Sequence, residues 1–312
     1  MENLSVSERL PAGCAVQYTP GLYNSDTFLE ANNSLPQLHF YLIDADQHSA
    51  LGHIAFSIEE GEAMSPYKAP FAGFELAPDL DSLSCLYFLQ EIQRRLKERS
   101  IRYFKIKIAP ACYVPGNLPL ADNMRHLGFE EKERQIYHAI MVNEQPLTMK
   151  IATMEQRKLR KALKEKLSFR FARRSEYPVF FDFIKRHREA KGHQLSMDWN
   201  EMKGGIRANP EGYLAVGVFK EEDLIAASVL IRVSEKVVYN FFPAHDAGYN
   251  ALSPMVCLID SVYAWCQEQG VAWIDLGTSY LGKKKNKSLI SFKEHMGGQP
   301  FESITFRKTL SL

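Results

Sequence analysis

The sequence lacks the features of secreted, membrane-spanning and strongly charged proteins. Its 312 residues include only five cysteines, and none forms a C-x-x-C pair, which favours free thiols in a reducing compartment. No apolar run is long enough to span a bilayer, and the N-terminus has no apolar segment of signal-peptide length. The formal net charge is +1, so any preference for nucleic acid must come from local patches. We therefore expect a cytoplasmic protein without membrane insertion.

Several catalytic signatures are absent as well. The sequence contains no H-E-x-x-H, no zinc-type spacing of cysteine and histidine, no G-x-S-x-G and no Walker loop. The histidines His187, His193, His245 and His295 occur singly. We therefore predict no metal site.

The composition is that of a folded globular protein. Hydrophobic residues make up 46% of the chain and charged residues 24%, which are ordinary values and argue against disorder. A chain of this length fits two domains better than one. We place a linker near Gln145–Lys150 and predict domains at residues 1–146 and 147–312.

One order of secondary structure occurs twice along the chain. In each half, strands joined by polar turns precede a long helix, an aromatic-bearing strand and a short helix that ends in glycine. This order predicts tandem copies of one α/β unit. The long helices are predicted at Asp81–Arg99 and from Ser253-Pro254 to Gln269, the strands at Tyr103–Ile108 and Trp273–Leu276, and the short helices at Leu120–Leu127 and Leu289–Met296.

A strongly basic segment connects the two copies. Residues 150–174 are rich in lysine and arginine, and Thr153 and Gln156 fit a capping box that predicts a helix at about Met154–Leu167. Two interpretations remain open for this segment. It is either a solvated helical face or a binding surface for a phosphate-rich partner.

The repeated unit resembles the GNAT acyltransferase fold, and the tandem arrangement resembles the FemAB-like transferases. Three features carry the second resemblance. The stretch Arg157–Ala162 looks like the K-x-R-R-x-[IL]-R-K-A segment between that family's halves, Asp275-Leu276-Gly277 ends a helix–strand pair, and Phe292-Lys293 looks like the family's F-K pair. The resemblance implies an α/β (α+β) protein of two tandem GNAT-like domains, each with a mixed central sheet flanked by helices.

The resemblance also implies transfer of an acyl or aminoacyl group to an amine, with the site in the second domain and a degenerate first domain. In FemAB-like enzymes the donor is an aminoacyl-tRNA and the acceptor is a cell-wall precursor peptide. We therefore expect acyl-CoA or aminoacyl-tRNA as co-substrate, no tightly bound cofactor, a small-molecule or peptide amine as acceptor, tRNA rather than DNA as a nucleic-acid partner, and an undetermined oligomeric state. The alternative is a non-catalytic binding or structural module that has lost donor binding.

Four residues are candidates for the chemistry. The resemblance implies that Lys293 donates to the developing oxyanion, and the alternative is an exposed surface lysine. Asp275 lies at the end of a predicted central strand, where open α/β sheets present ligand groups, and the alternative is a turn-forming aspartate. Tyr249 and Tyr280, in predicted loops, are candidates to protonate a leaving group.

The donor would be bound by two loops. Ordinary GNAT enzymes cradle the CoA pyrophosphate with a Q/R-x-x-G-x-G/A loop, because glycine lets backbone N–H groups approach phosphate. The corresponding residues 245–251 have one glycine and one acid, and residues 77–80 of the first half have no glycine. The candidate donor-binding residues are Gly248, Asn250 and Ser253 in the first loop, and Lys283, Lys284 and Lys285 in a basic loop whose alternative is simple solvation.

Overall fold

The computed structural model describes residues 3–32, 35–114, 117–281 and 284–310. The chain divides into two compact units, one formed by Met1–Ile136 with Phe301–Leu312 and the other by Tyr137–Pro300. These units differ from the predicted division after residue 146 because strand pairing, and not chain order, decides membership. Thr305–Thr309 pairs with Tyr103–Lys107 in the first unit, and residues 137–141 pair with a strand of the second unit.

The described residues form groups of consecutive strands separated by helices. The strands are β1 (Leu4–Ser7), β2 (Ala15–Val16), β3 (Gln37–Asp44), β4 (Ser49–Glu59), β5 (Glu62–Ser65), β6 (Glu75–Leu76), β7 (Tyr103–Lys107), β8 (Glu130–Met141), β9 (Ser168–Phe171), β10 (Tyr213–Lys220), β11 (Asp223–Arg232), β12 (Val237–His245), β13 (Trp273–Thr278), β14 (Tyr280–Leu281), β15 (Lys284–Lys285) and β16 (Gln299–Thr309). The helices are α1 (Asp26–Asn32), α2 (Ser82–Glu98), α3 (Asn117–His126), α4 (Thr153–Lys164), α5 (Tyr177–Glu189), α6 (Trp199–Ala208), α7 (Pro254–Glu268) and α8 (Lys287–His295).

The first unit is a mixed sheet covered by α2 and α3. Strands β1, β3, β4 and β5 pair antiparallel in that order, β5 pairs parallel with β7, and β7 pairs antiparallel with β16. Helix α2 begins where the Asp81 carboxylate accepts the backbone N–H groups of Leu83 and Ser84, which satisfies donors that a helix start leaves free. Its apolar residues Phe88 and Ile92 lie in the core of this unit.

The second unit repeats this plan. Its sheet runs from residues 137–141 of β8 through β13, β12, β11 and β10 to β9, and only the pair β12–β13 is parallel. Helix α7 buries Val256, Leu258, Ile259 and Val262 in the core of this unit. Because apolar residues occur almost all round this helix, it must be covered on more than one side. Helix α4 packs against it.

The predicted capping box at the start of α4 is wrong. The residue that precedes the helix is Ala152, which offers no side-chain cap. The side chain of Gln156 donates instead to the carbonyl oxygens of Thr148 and Ile151, at 3.0 and 3.2 Å. Helix α4 itself forms where it was predicted.

Among the described residues, no helix combines the length and apolar character needed to cross a lipid bilayer.

Candidate active site

The parallel strands β12 and β13 pair over a short stretch and then separate. Their last paired residues are Tyr239 and Asp275. Beyond that point, residues 240–245 of β12 and Leu276–Thr278 of β13 line a cavity of about 560 Å³. Two adjacent strands that separate leave backbone N–H and C=O groups without ladder partners. A ligand in the cavity can therefore use them.

A β-bulge in β12 shapes one wall of this cavity. Ser228 of β11 lies opposite two residues of β12, Phe242 and Pro243, and Phe242 has a φ of 56°, which is uncommon for a bulky residue. The Ser228 hydroxyl donates to the side-chain oxygen of Asn240 and to the Phe241 carbonyl. Such a bulge redirects the strand and leaves one residue outside the ladder.

Lys293 of α8 reaches the point where the strands separate. Its residue is only 5% exposed, so it is not a surface lysine. The ammonium group donates to the carbonyl oxygens of Gly277 at 2.7 Å and Thr278 at 2.9 Å. An ammonium has three donors, and Lys293 also lines the cavity. When Lys293 is protonated, its third N–H can therefore serve a ligand there.

Asp275 provides the countercharge for Lys293. Burial lowers the pKa of Lys293 towards neutrality, the Asp275 carboxylate raises that pKa, and Arg188 lowers it. Asp275 is fully buried, and its Oδ1 accepts the Gly277 N–H at 2.6 Å. Asp275 thus shapes the turn and also faces the lysine charge. A lysine with a lowered pKa can exchange a proton near neutral pH.

Tyr239 lies next to Asp275 and Gly277. Aromatic residues in strands are ordinarily core residues, so nothing in the sequence indicated that Tyr239 lies at the site. Burial and the Asp275 carboxylate raise the pKa of Tyr239. Gly277 has a φ of 73°, and a Cβ at that position would lie 3.0 Å from Tyr239 Cε2 and 3.1 Å from its hydroxyl oxygen. Glycine alone combines this backbone conformation with that close approach.

The two loop tyrosines have different positions. Tyr280 lines the cavity together with Lys293. The hydroxyl of Tyr249 instead donates to Asp223 Oδ2 at 2.9 Å, and its ring packs against the core of the second unit. The structure therefore brings Tyr280 to the candidate site and holds Tyr249 elsewhere.

The first candidate donor loop forms a 3-10 helix at Ala247–Leu252. The N–H of Gly248 donates to Asp246 Oδ1 at 2.8 Å, so a carboxylate already occupies the amide that a pyrophosphate would need. Asn250 Oδ1 lies 2.8 Å from His245 Nε2, and Ser253 begins α7 without a side-chain cap bond. These residues do not fit a phosphate cradle.

The basic loop is described only in part. Lys284 and Lys285 are exposed on β15, which pairs with β14. Lys283 lies outside the described residues. Among the described residues, no group of three or more histidine, cysteine or acidic side chains could hold a metal ion.

The comparisons with known proteins identify the second unit. Residues 152–285 match the family model of the acetyltransferase (GNAT) domain, a range that contains β12, α7 and β13. The sequence matches none of the curated proteins.

Solved structures extend the likeness of fold over nearly the whole chain. FemX is 14% identical with a TM-score of 0.71, over 94% of this chain and 93% of FemX. L-PGS from Bacillus licheniformis is 12% identical with a TM-score of 0.54, over 92% of each chain. A tandem GNAT protein from the clavulanic acid biosynthesis pathway is 9% identical with a TM-score of 0.50, over 94% of this chain and 91% of that one.

Residues 152–285 thus resemble a GNAT domain, and nearly the whole chain shares its fold with FemX and with a tandem GNAT protein. The predicted tandem GNAT-like fold is confirmed by the domain match and by the similarity to these structures. Lys293 lies just beyond the matched range. Its role therefore rests on its position in the structure.

The candidate site also contains residues that sequence reasoning missed. Arg188 and Lys191, at the end of α5 and just beyond it, line the cavity. In the sequence they look like the polar face of an amphipathic helix, and such faces are usually solvated. The clustered cations of the R-H-R-E-A-K run are the signal that could have identified them.

Proposed function

We propose that the second GNAT unit transfers an acyl or aminoacyl group to an amine of a small molecule or peptide. The supporting observation is the buried Lys293, hydrogen-bonded at the point where β12 and β13 separate and paired electrostatically with Asp275. Acyl transfer to an amine needs no covalent nucleophile. It needs a positioned carbonyl, an unprotonated amine and a donor for the developing oxyanion.

In this proposal Lys293 supplies the oxyanion donor. The amine nitrogen attacks the carbonyl carbon of the donor, a C–N bond forms, and the carbonyl oxygen becomes an oxyanion that accepts the third N–H of Lys293. The carbonyl then re-forms, the ester or thioester bond breaks, the leaving oxygen or sulfur takes a proton, and the attacking nitrogen loses one proton to solvent. Tyr280, whose side chain lines the same cavity, is the candidate to deliver that proton.

An aminoacyl-tRNA fits the site better than acyl-CoA as the donor. The Gly248 amide that would approach a CoA pyrophosphate is occupied by Asp246. Helix α4 packs against α7 and the 3-10 helix at Ala247–Leu252, and it exposes Arg157, Arg160 and Lys161. Exposed cations at this position suit the repeated phosphates of RNA. Acyl-CoA is the alternative donor.

Single-turnover transfer assays test the proposal. Purified protein is mixed with labelled aminoacyl-tRNA or labelled acetyl-CoA and a set of amine-bearing amino acids and peptides, and amide products are measured. We expect product from one donor, and we expect Lys293→Ala to slow the transfer by about 100-fold or more, as is typical for loss of an oxyanion donor. The matched control is Lys287→Ala, an exposed lysine on the same helix, which should retain the wild-type rate. Absence of product from both donors would contradict the proposal.

The occupied Gly248 amide favours a second candidate, a binding module that has lost its donor site. Thermal unfolding distinguishes the two candidates, because a ligand that binds only the folded protein raises the melting temperature by mass action. A binding module would be stabilised by amine ligands and by neither acyl donor. An enzyme would be stabilised by one donor as well.

A further inference from the structure

We propose that the cavity beside Lys293 binds an anionic group of its substrate, a carboxylate or a phosphate, at Arg188 and Lys191. The proposal rests on the proposed function in one respect: it assigns the anion to the same molecule as the acceptor amine. The acceptor would then be an amine that also carries a carboxylate or phosphate.

The charges around the cavity are of one sign. Arg188, Lys191 and Lys293 line it, and no aspartate or glutamate is found among the described lining residues. The Lys293 charge faces the buried Asp275 behind it. Neither Arg188 nor Lys191 lies within ion-pair distance of a carboxylate among the described residues, although the Asp246 charge acts on Lys191 from farther away.

The Arg188 guanidinium is held in place but is not saturated with hydrogen bonds. Its Cζ lies 5.3 Å from the centre of the Phe242 ring, and one terminal nitrogen donates to the Pro243 carbonyl at 3.4 Å. Its Nε is buried and has no hydrogen-bond partner among the described residues. A guanidinium offers five donors in a planar fork that matches a carboxylate or phosphate. Arg188 therefore presents unused donors from a fixed position.

Lys191 adds a second cation beside Arg188. Its Nζ lies 3.2 Å from His245 Nε2, which directs the side chain towards the cavity wall. Burial and the neighbouring Arg188 charge lower the pKa of Lys191, and Asp246 raises it. Two neighbouring cations repel each other. A bound anion would remove that repulsion and satisfy the free donors.

Binding measurements with simple anions test the proposal. Inorganic phosphate and glutarate serve as probes, with sodium chloride at matched ionic strength as the reference, and binding is followed by calorimetry and thermal unfolding. We expect one probe or both to bind and to raise the melting temperature relative to chloride. Phosphate binding without glutarate binding assigns a phosphate, and the reverse assigns a carboxylate.

Variants localise the binding. Arg188→Gln and Lys191→Ala should each weaken binding by about tenfold or more, since hydrogen bonds to charged groups are among the stronger ones in proteins. Arg186→Ala is the matched control, because Arg186 is exposed on the same helix and does not line the cavity. Lys191 is itself exposed, so its replacement preserves the test even where Arg188→Gln destabilises the fold.

The outcomes separate this inference from the proposed function. Neither probe binding better than chloride, or equal binding to wild type and Lys191→Ala, would overturn the anion site. Anion binding that survives Lys293→Ala supports it, because the binding does not require transfer. A protein that binds the anions at Arg188 and Lys191 but transfers no acyl group would overturn the proposed function alone.

Discussion

In each unit a long helix connects two strands that pair parallel, β5 with β7 and β12 with β13, and the two pairs end differently. In the second unit the pairing of β12 with β13 stops at Tyr239 and Asp275, and a cavity of about 560 Å³ opens beyond it. In the first unit β5 pairs with β7, and the chain then returns so that Ala72 bridges to Ile108. The same strand arrangement thus produces a cavity in one unit and continued pairing in the other.

Short segments account for this difference. In the first unit Phe71 and Phe74 are each only 1% exposed, and the Ala72 N–H donates to the Lys107 carbonyl at 3.2 Å. In the second unit the bulge at Phe242 turns β12 away from further pairing, and Lys293 occupies the carbonyls of Gly277 and Thr278. Buried aromatic side chains stabilise the first unit. In the second unit polar groups line a cavity, which is an arrangement suited to ligand binding.

Removal of a buried aromatic ring from the first unit should give the largest change in stability. Phe71→Ala is expected to lower the free energy of unfolding by about 3–5 kcal/mol, because it deletes a fully buried aromatic ring and leaves a void. Equilibrium denaturation in urea measures this loss. Leu83→Ala is the control, since Leu83 is 61% exposed and should change stability little. An equally small effect of both variants would show that Phe71 does not fill the first unit.

Replacing one glycine of positive φ in each unit by alanine should lower stability less than Phe71→Ala does, and only one of the two replacements should affect acyl transfer. Gly277 and Gly73 have φ angles of 73° and 69°, and a Cβ would lie 3.0 Å from Tyr239 and 3.1 Å from the Ile108 backbone respectively. Gly277→Ala and Gly73→Ala should each destabilise the protein by roughly 1–2 kcal/mol or more. Only Gly277→Ala should also slow acyl transfer, measured at a temperature where both variants are folded. Equal transfer rates for the two variants would place the reaction outside the β12–β13 cavity.

The smallest expected change concerns His138, a buried polar residue of the second unit. It is 1% exposed, neither ring nitrogen forms a hydrogen bond within the described residues, and Nε2 lies 3.8 Å from Glu294 Oε1. Burial and the Lys293 charge lower the pKa of His138. The unfolded chain therefore binds the proton more readily, so wild-type stability should fall as the pH drops below the ordinary histidine pKa of about 6.5.

His138→Leu should raise the free energy of unfolding at pH 7 by about 1 kcal/mol, because it removes an unsatisfied polar group. The variant should also lose less of its free energy of unfolding than the wild type between pH 7 and pH 5. Denaturant unfolding at both pH values measures the two effects, with His126→Leu, at an exposed position, as the control. His39 and His245 also have lowered pKa values, so part of the acid sensitivity should remain. An unchanged pH profile would mean that His138 does not contribute to it.

Local patterns in the sequence account for most of the secondary structure. Helix α2 was predicted at Asp81–Arg99 and spans Ser82–Glu98, because its helical periodicity and its Asp81 cap lie within the element itself. The strand predicted at Trp273–Leu276 extends to Thr278. Signals of this kind need no information about distant residues.

The candidate site was less predictable because it depends on distant packing. Lys293 and Asp275 were identified through a family resemblance, and their burial next to each other became apparent only in the fold. Tyr249 was grouped with Tyr280, yet Asp223 on another strand holds its hydroxyl. Arg188 and Lys191 are brought to the cavity by the packing of α5 on β12, a contact that no local pattern encodes.

The sequence by itself determined the order of elements, the duplication and the GNAT-like plan, because periodicity, caps and turn residues act over a few positions. The tertiary structure decided which parallel pair opens into a cavity, whether Lys293 is buried, and which strands join which unit. Those outcomes depend on contacts between residues far apart in the chain, such as Phe71 with Tyr23 or Lys293 with the Gly277 carbonyl. Packing and hydrogen bonding at that range form only when the chain has folded.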